Sequence, residues 1–91
     1  MALYWVGYDL DKPGQQYQAL INRLVELGAR KILLSDWLLV NTATPEQIRN
    51  DLDRFLDKND RIIVAELKNN AAWRNLLLSN DEVQRLFANC T

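Results

Sequence analysis

Two carboxylates, Asp9 and Asp11, follow a run of aromatic and branched residues (2–8) and precede a strong turn signal, Lys12-Pro13-Gly14. A pair of acids at a strand end suits a hard, oxygen-seeking cation such as Mg²⁺ or Mn²⁺, with positions left open for water. The chain contains no histidine. That removes the usual proton acceptor near neutral pH and every Ser/His or Cys/His nucleophile. Hydrolytic chemistry would then rest on a divalent cation that activates a water and offsets charge on a phosphate. Asp9 is the candidate catalytic residue and metal ligand, and Asp11 a candidate second ligand. A symmetric dimer would set two Asp9 side chains across its axis on one shared ion. The plainer alternative is a loop acid favourably placed near the start of the next helix.

Other residues offer binding rather than chemistry. Ser35 is either a phosphate contact or a turn residue. Arg30 and Lys31 are candidate substrate contacts, and with Lys12 and Arg23 they would form a modest basic patch. Trp5, Trp37 and Trp73 suit base stacking or a place in the core or an interface. Arg49, Arg54, Lys58 and Arg61 alternate with Asp51, Asp53, Asp57 and Asp60, a pattern typical of a solvated mixed-charge helix. The net charge is −1. Nucleic-acid binders draw most of their affinity from phosphate neutralisation, so any such surface must be local. A single cysteine, Cys90, cannot form an internal disulfide and fits a reducing compartment.

These residues need a scaffold. The 91 residues suffice for one domain, and 48% hydrophobic with 25% charged content is that of a globular chain. Residues 2–8 read as a strand. From Gln15 to Leu27, Tyr17, Leu20, Ile21, Leu24 and Leu27 recur at helical spacing, and Gly28 suits the left-handed residue that ends many helices. Residues 30–41 read as a hairpin turning near Ser35-Asp36. Thr44-Pro45-Glu46-Gln47 is a capping box with proline at the first helical position. Ile62–Leu67 reads as a fourth strand. The order β-α-β-β-α-β predicts an α+β, ferredoxin-like fold: a four-stranded antiparallel sheet with two helices on one face. The first and last strands are expected at its centre. Residues 1–69 form this core, and 70–91 form a helical tail. In the tail Ala71–Leu78 reads as helix, and a box at Ser79-x-x-Glu82 starts another.

The strand pattern also predicts a partner. Leu3, Trp5 and Gly7 point one way, and Ala2, Tyr4, Val6 and Tyr8 the other. Ile62 and Val64 oppose Ile63, Ala65 and Leu67, and Trp37 and Leu39 oppose Leu38 and Val40. Both faces are apolar, whereas a face open to water should be polar. A second copy or the chain's own tail must cover the second face, and a homodimer is the expectation.

The segments YDLDKPGQQY, LGARKILLSDWLL and NDRIIVAEL, with a proline-started helix between the last two, resemble the SinR-like group of small bacterial proteins. That group is related to the CRISPR-associated Cas-two proteins and, more distantly, to VapD-type toxins. The resemblance covers about residues 2–73. It implies a ferredoxin-like fold and homodimers formed through sheet faces and the C-terminal segment. It also implies metal-dependent nuclease activity in many members and a scaffold role in others. The family's acid closes its first strand in a Tyr-Asp pair, matched by Tyr8-Asp9, and its hairpin serine is matched approximately by Ser35. Arg30 stands one residue out of step with the family's arginine, and Trp37 takes the place of a phenylalanine.

The expected function is therefore a homodimeric, Mg²⁺- or Mn²⁺-dependent endonuclease acting on RNA or DNA. The alternatives are a non-catalytic dimeric scaffold that binds a protein partner, or the toxin of a toxin–antitoxin pair. No membrane-spanning run and no basic, apolar leader stands out, so a cytoplasmic setting is expected.

Overall fold

The structure is a computed structural model that describes residues 1–11 and 17–90. Lys12, the Pro13-Gly14 turn, the expected helix start at Gln15 and the thiol of Cys90 lie outside the described residues.

The elements in chain order are β1 (Ala2–Asp9), α1 (Gln18–Glu26), β2 (Arg30–Leu33), β3 (Asp36–Asn41), α2 (Pro45–Asp53), β4 (Arg61–Leu67) and α3 (Asn80–Cys90). The strands form one antiparallel sheet of order β2-β3-β1-β4, the ferredoxin-like order. This corrects one expectation. β1 and β3 are central, whereas β4 forms an edge. A split βαβ unit inserts β3 between β1 and β2, which leaves β4 only the outer side of β1. None of the seven β4 residues is buried, whereas β1 buries Leu3, Tyr4, Val6 and Gly7.

Local signals act as the sequence implies. Thr44 Oγ1 accepts from the Gln47 amide at 3.1 Å, and Gln47 Oε1 accepts from the Thr44 amide at 2.9 Å. Gly28 takes φ +82°, the left-handed conformation that only glycine adopts freely. The hairpin turns at Leu34-Ser35, between β2 and β3.

One sheet face meets α1 and α2. There Tyr4, Val6, Trp37 and Leu39 pack with Leu20, Leu24, Ile48 and Leu52. The opposite face meets the chain's own tail. Leu3, Ile32 and Leu38 pack with Leu78, Val83 and Phe87, so α3 forms a third layer over half of the sheet. The apolar second face is thus partly covered from within the chain.

The tail departs from expectation in one stretch. Residues 71–78 are not helical. Asn75 takes φ 58°, a conformation asparagine tolerates better than most residues. The Leu77 amide donates to the Ile32 carbonyl at 2.9 Å, which ties the segment to the outer edge of β2. Trp73 stacks on Phe87, with ring centroids 5.4 Å apart. An extended path lets Leu76 and Leu78 reach the sheet, whereas a helix would turn part of the Leu76-Leu77-Leu78 run away from it. The capping box holds for α3, with Ser79 Oγ accepting from the Glu82 amide at 3.3 Å. Among the described residues no helix is long and apolar enough to cross a membrane.

Candidate functional site

The half of the second face that α3 leaves open lies at the C-terminal end of β1. Pleating puts Trp5, Gly7 and Asp9 on this face. The register then sets Asp36 of β3 beside Gly7 on one side, and Ile63 of β4 beside it on the other. Arg61 pairs across from Asp9. These residues line an open depression of about 290 Å³. That is at the small end of ligand pockets and too open to bury most of a small molecule. It suits a piece of an extended polymer or another protein surface.

Asp9 is prominent here. Its side chain is 72% exposed and pairs with Arg61, Nη1 to Oδ2 at 3.0 Å. Both groups face water, so the pair contributes little stability and is easily exchanged for another partner. The Trp5 indole N–H donates to Asp36 Oδ1 at 2.7 Å, directly over Gly7. A Cβ at position 7 would stand 2.6 Å from that oxygen and 3.0 Å from the indole nitrogen. Glycine is therefore required for this bond to cross the strand.

The other sequence candidates scatter. Asp11 does not line the depression; its amide donates to Asp60 Oδ1 at 2.8 Å. Asp60 also accepts from the Tyr17 hydroxyl at 3.0 Å and, through Oδ2, from the Asp57 amide at 2.8 Å. It thereby ties the loop after β1 to the loop before β4. Ser35 comes close to the site through its backbone, whose carbonyl accepts from the Tyr8 amide at 3.0 Å. Arg30 is engaged elsewhere, with Glu82 of α3 at 2.7 Å. Lys31 is exposed on β2, away from the depression. Trp37 is buried and donates to the Tyr8 hydroxyl at 3.1 Å, and Trp73 donates to Asn80 and stacks on Phe87, so neither stands at the depression. Only half-buried Trp5 remains beside Asp9.

Sequence reasoning missed Asp36 and Arg61 as members of this site. Their signals were present but indirect. Asp36 opens the largely apolar β3 and Arg61 opens β4, each strand a direct neighbour of β1. Only strand order brings them together. The donor set is two carboxylates, oxygen-only, which fits Mg²⁺ or Mn²⁺ rather than a softer metal. Among the described residues no group of three or more acid, histidine or cysteine side chains is placed to hold a metal. No family model and no solved structure matches the chain.

Proposed function

We propose that the chain is a homodimeric, divalent-metal-dependent phosphodiesterase acting on RNA or DNA, with Asp9 at its centre. The observation that carries this reading is the joint placement of Asp9, Asp36, Arg61 and Trp5 around one open depression. Mg²⁺ usually takes one or two carboxylates and completes its shell with water and substrate phosphate, so Asp9 and Asp36 of one subunit suffice as ligands. The metal, when bound, supplies a Lewis acid to the phosphate. Arg61, released from Asp9, would hold a phosphate oxygen by charge-assisted hydrogen bonds. Trp5 would offer an aromatic edge against a base. Without a cation, two carboxylates beside a single arginine repel a phosphate, so substrate binding itself should need the metal.

The test is cleavage of labelled single- and double-stranded RNA and DNA with Mg²⁺, Mn²⁺ or EDTA. Outer-shell changes at metal sites typically cost 10–100-fold, so loss of a ligand in Asp9→Asn should cost at least about 100-fold. Asp36→Asn should raise the metal concentration needed, and Arg61→Ala should weaken substrate binding at saturating metal. Equal activity in wild type and Asp9→Asn would refute the proposal.

A second reading has its own observation. Asp9 is already paired with Arg61, which favours a non-catalytic dimer that uses the open half-face to bind a protein. Under this reading no substrate is cut, and Trp5→Ala, not Asp9→Asn, abolishes partner binding.

A further inference from the structure

The two edges of the sheet are treated differently. At the β2 edge, the tail supplies the Leu77 amide to the Ile32 carbonyl. The β4 edge has no such cover among the described residues. Edge strands that stay single are normally blunted by proline, bulges, short length or charges along the strand. β4 has no proline and no bulge, is seven residues long, and carries charges only toward its ends, at Arg61 and Glu66. It pairs with β1 in unbroken register over seven residues, contains neither proline nor glycine, and its middle is Ile62-Ile63-Val64-Ala65. Ile63 is 46% exposed at its centre.

We propose that β4 pairs with β4 of a second copy of this chain, antiparallel and centred on Val64, to make one continuous eight-stranded sheet. Self-complementarity selects the occupant and the register. A one-residue slip is excluded, because it would put the two subunits' core faces on opposite sides of the joined sheet. Centring on Val64 sets Ile63 opposite the partner's Ala65 and Asp60 opposite the partner's Lys68, a large–small pair and an opposite-charge pair. Moving the centre to Ile63 would set Asp60 against the partner's Glu66, a like-charge pair. Moving it to Ala65 would set Val64 against the partner's Glu66 and Ile62 against the partner's Lys68, and would lose the opposite-charge pair. Of the three registers, only the one centred on Val64 sets Asp60 opposite the partner's Lys68, although it also places Ile62 opposite the partner's Glu66. It gives the homodimer of the functional reading a definite surface and leaves each subunit its own Asp9 depression, at opposite ends of the joined strands.

The test uses the full chain. Sedimentation equilibrium should give a dimer at micromolar concentration. Amide exchange should show protection in β4 that falls on dilution, while β2 stays constant. Ile63→Lys/Ala65→Lys places like charges directly across the interface and should give a monomer with an unchanged circular dichroism spectrum. Ile63→Lys/Ala65→Glu places opposite charges there and should restore the dimer. A wild type that stays monomeric throughout, dilution-independent β4 exchange, or a folded Lys/Lys variant that remains dimeric would each overturn the inference. Asp9→Asn should remain dimeric, so loss of cleavage and loss of pairing are separate results.

Discussion

At the residue scale, the site turns on what Gly7 permits. Its missing side chain lets the Trp5 indole reach Asp36 across β1. Gly7→Ala should force the Asp36 carboxylate aside and break that bond, at a cost of about 1–2 kcal/mol. Asp36→Ala removes the nearest obstruction and leaves only the indole contact at 3.0 Å, so Gly7→Ala should cost less in that background. Urea unfolding of the four proteins in this cycle measures the coupling. Equal costs in both backgrounds would mean that the clash is with the Trp5 indole and not with the carboxylate. Tyr8-Asp9 was legible from the sequence because a strand signal ends there abruptly. Asp36 was legible only as a turn former. Its membership of the site depends on a cross-strand neighbour 29 positions earlier, Gly7, which no local pattern reveals.

At the element scale, the helices were the easiest part to read, because their signals are local. Thr44, Pro45 and Gln47 specify the start of α2, and Ser79 and Glu82 that of α3. The 71–78 segment was misread because its apolar spacing fits a helix, whereas its hydrogen bond goes to a strand edge far away in sequence. Long-range ion pairs were likewise hidden inside a charge pattern that looked merely solvated. Arg23 of α1 grips Asp51 of α2 through Nε and Nη2, with Nη2 to Oδ2 at 2.8 Å, and Arg54 adds a second partner. The hydrogen bond from Arg23 chiefly holds the Asp51 carboxyl below its ordinary value of 3.8. Because the folded state lowers this value, the clamp contributes fully above the ordinary carboxylate range. Its contribution is lost as pH falls through the lower, folded value. Asp51→Asn should therefore be less stable than wild type at pH 7, with the difference vanishing in strongly acidic solution. Thermal melts from pH 7 down to about pH 2 check this, and a pH-independent difference would assign the effect to packing instead.

At the scale of the whole molecule, both faces of the sheet were rightly read as apolar, but the first cover for the second face is the chain itself. The strand parity could say that a cover was needed. It could not say whose, because an amphipathic tail serves either its own sheet or a neighbour's. The buried side chains decide the point within one chain. Val83 is 1% exposed and Phe87 6%, and both lie against Leu3 and Leu38. Burying each such side chain is worth roughly 1.5–3 kcal/mol, while a whole domain is stable by only about 5–15 kcal/mol. The tail is thus integral to the fold and not an appendage. Phe87→Ala should cost about 3–5 kcal/mol and lower the melting temperature sharply. Arg30→Ala, which removes only the exposed ion pair to Glu82, should cost less than about 1 kcal/mol. A chain ending at residue 69 should bind a hydrophobic dye such as ANS and melt without cooperativity, since Leu3, Ile32 and Leu38 would then meet water. A cooperative melt without dye binding in that shortened chain would mean that a second copy can take the tail's place, as a dimer joined through sheet faces requires. An edge-paired dimer predicts the opposite: the shortened chain fails even though β4 is intact, because pairing at the edge covers neither face.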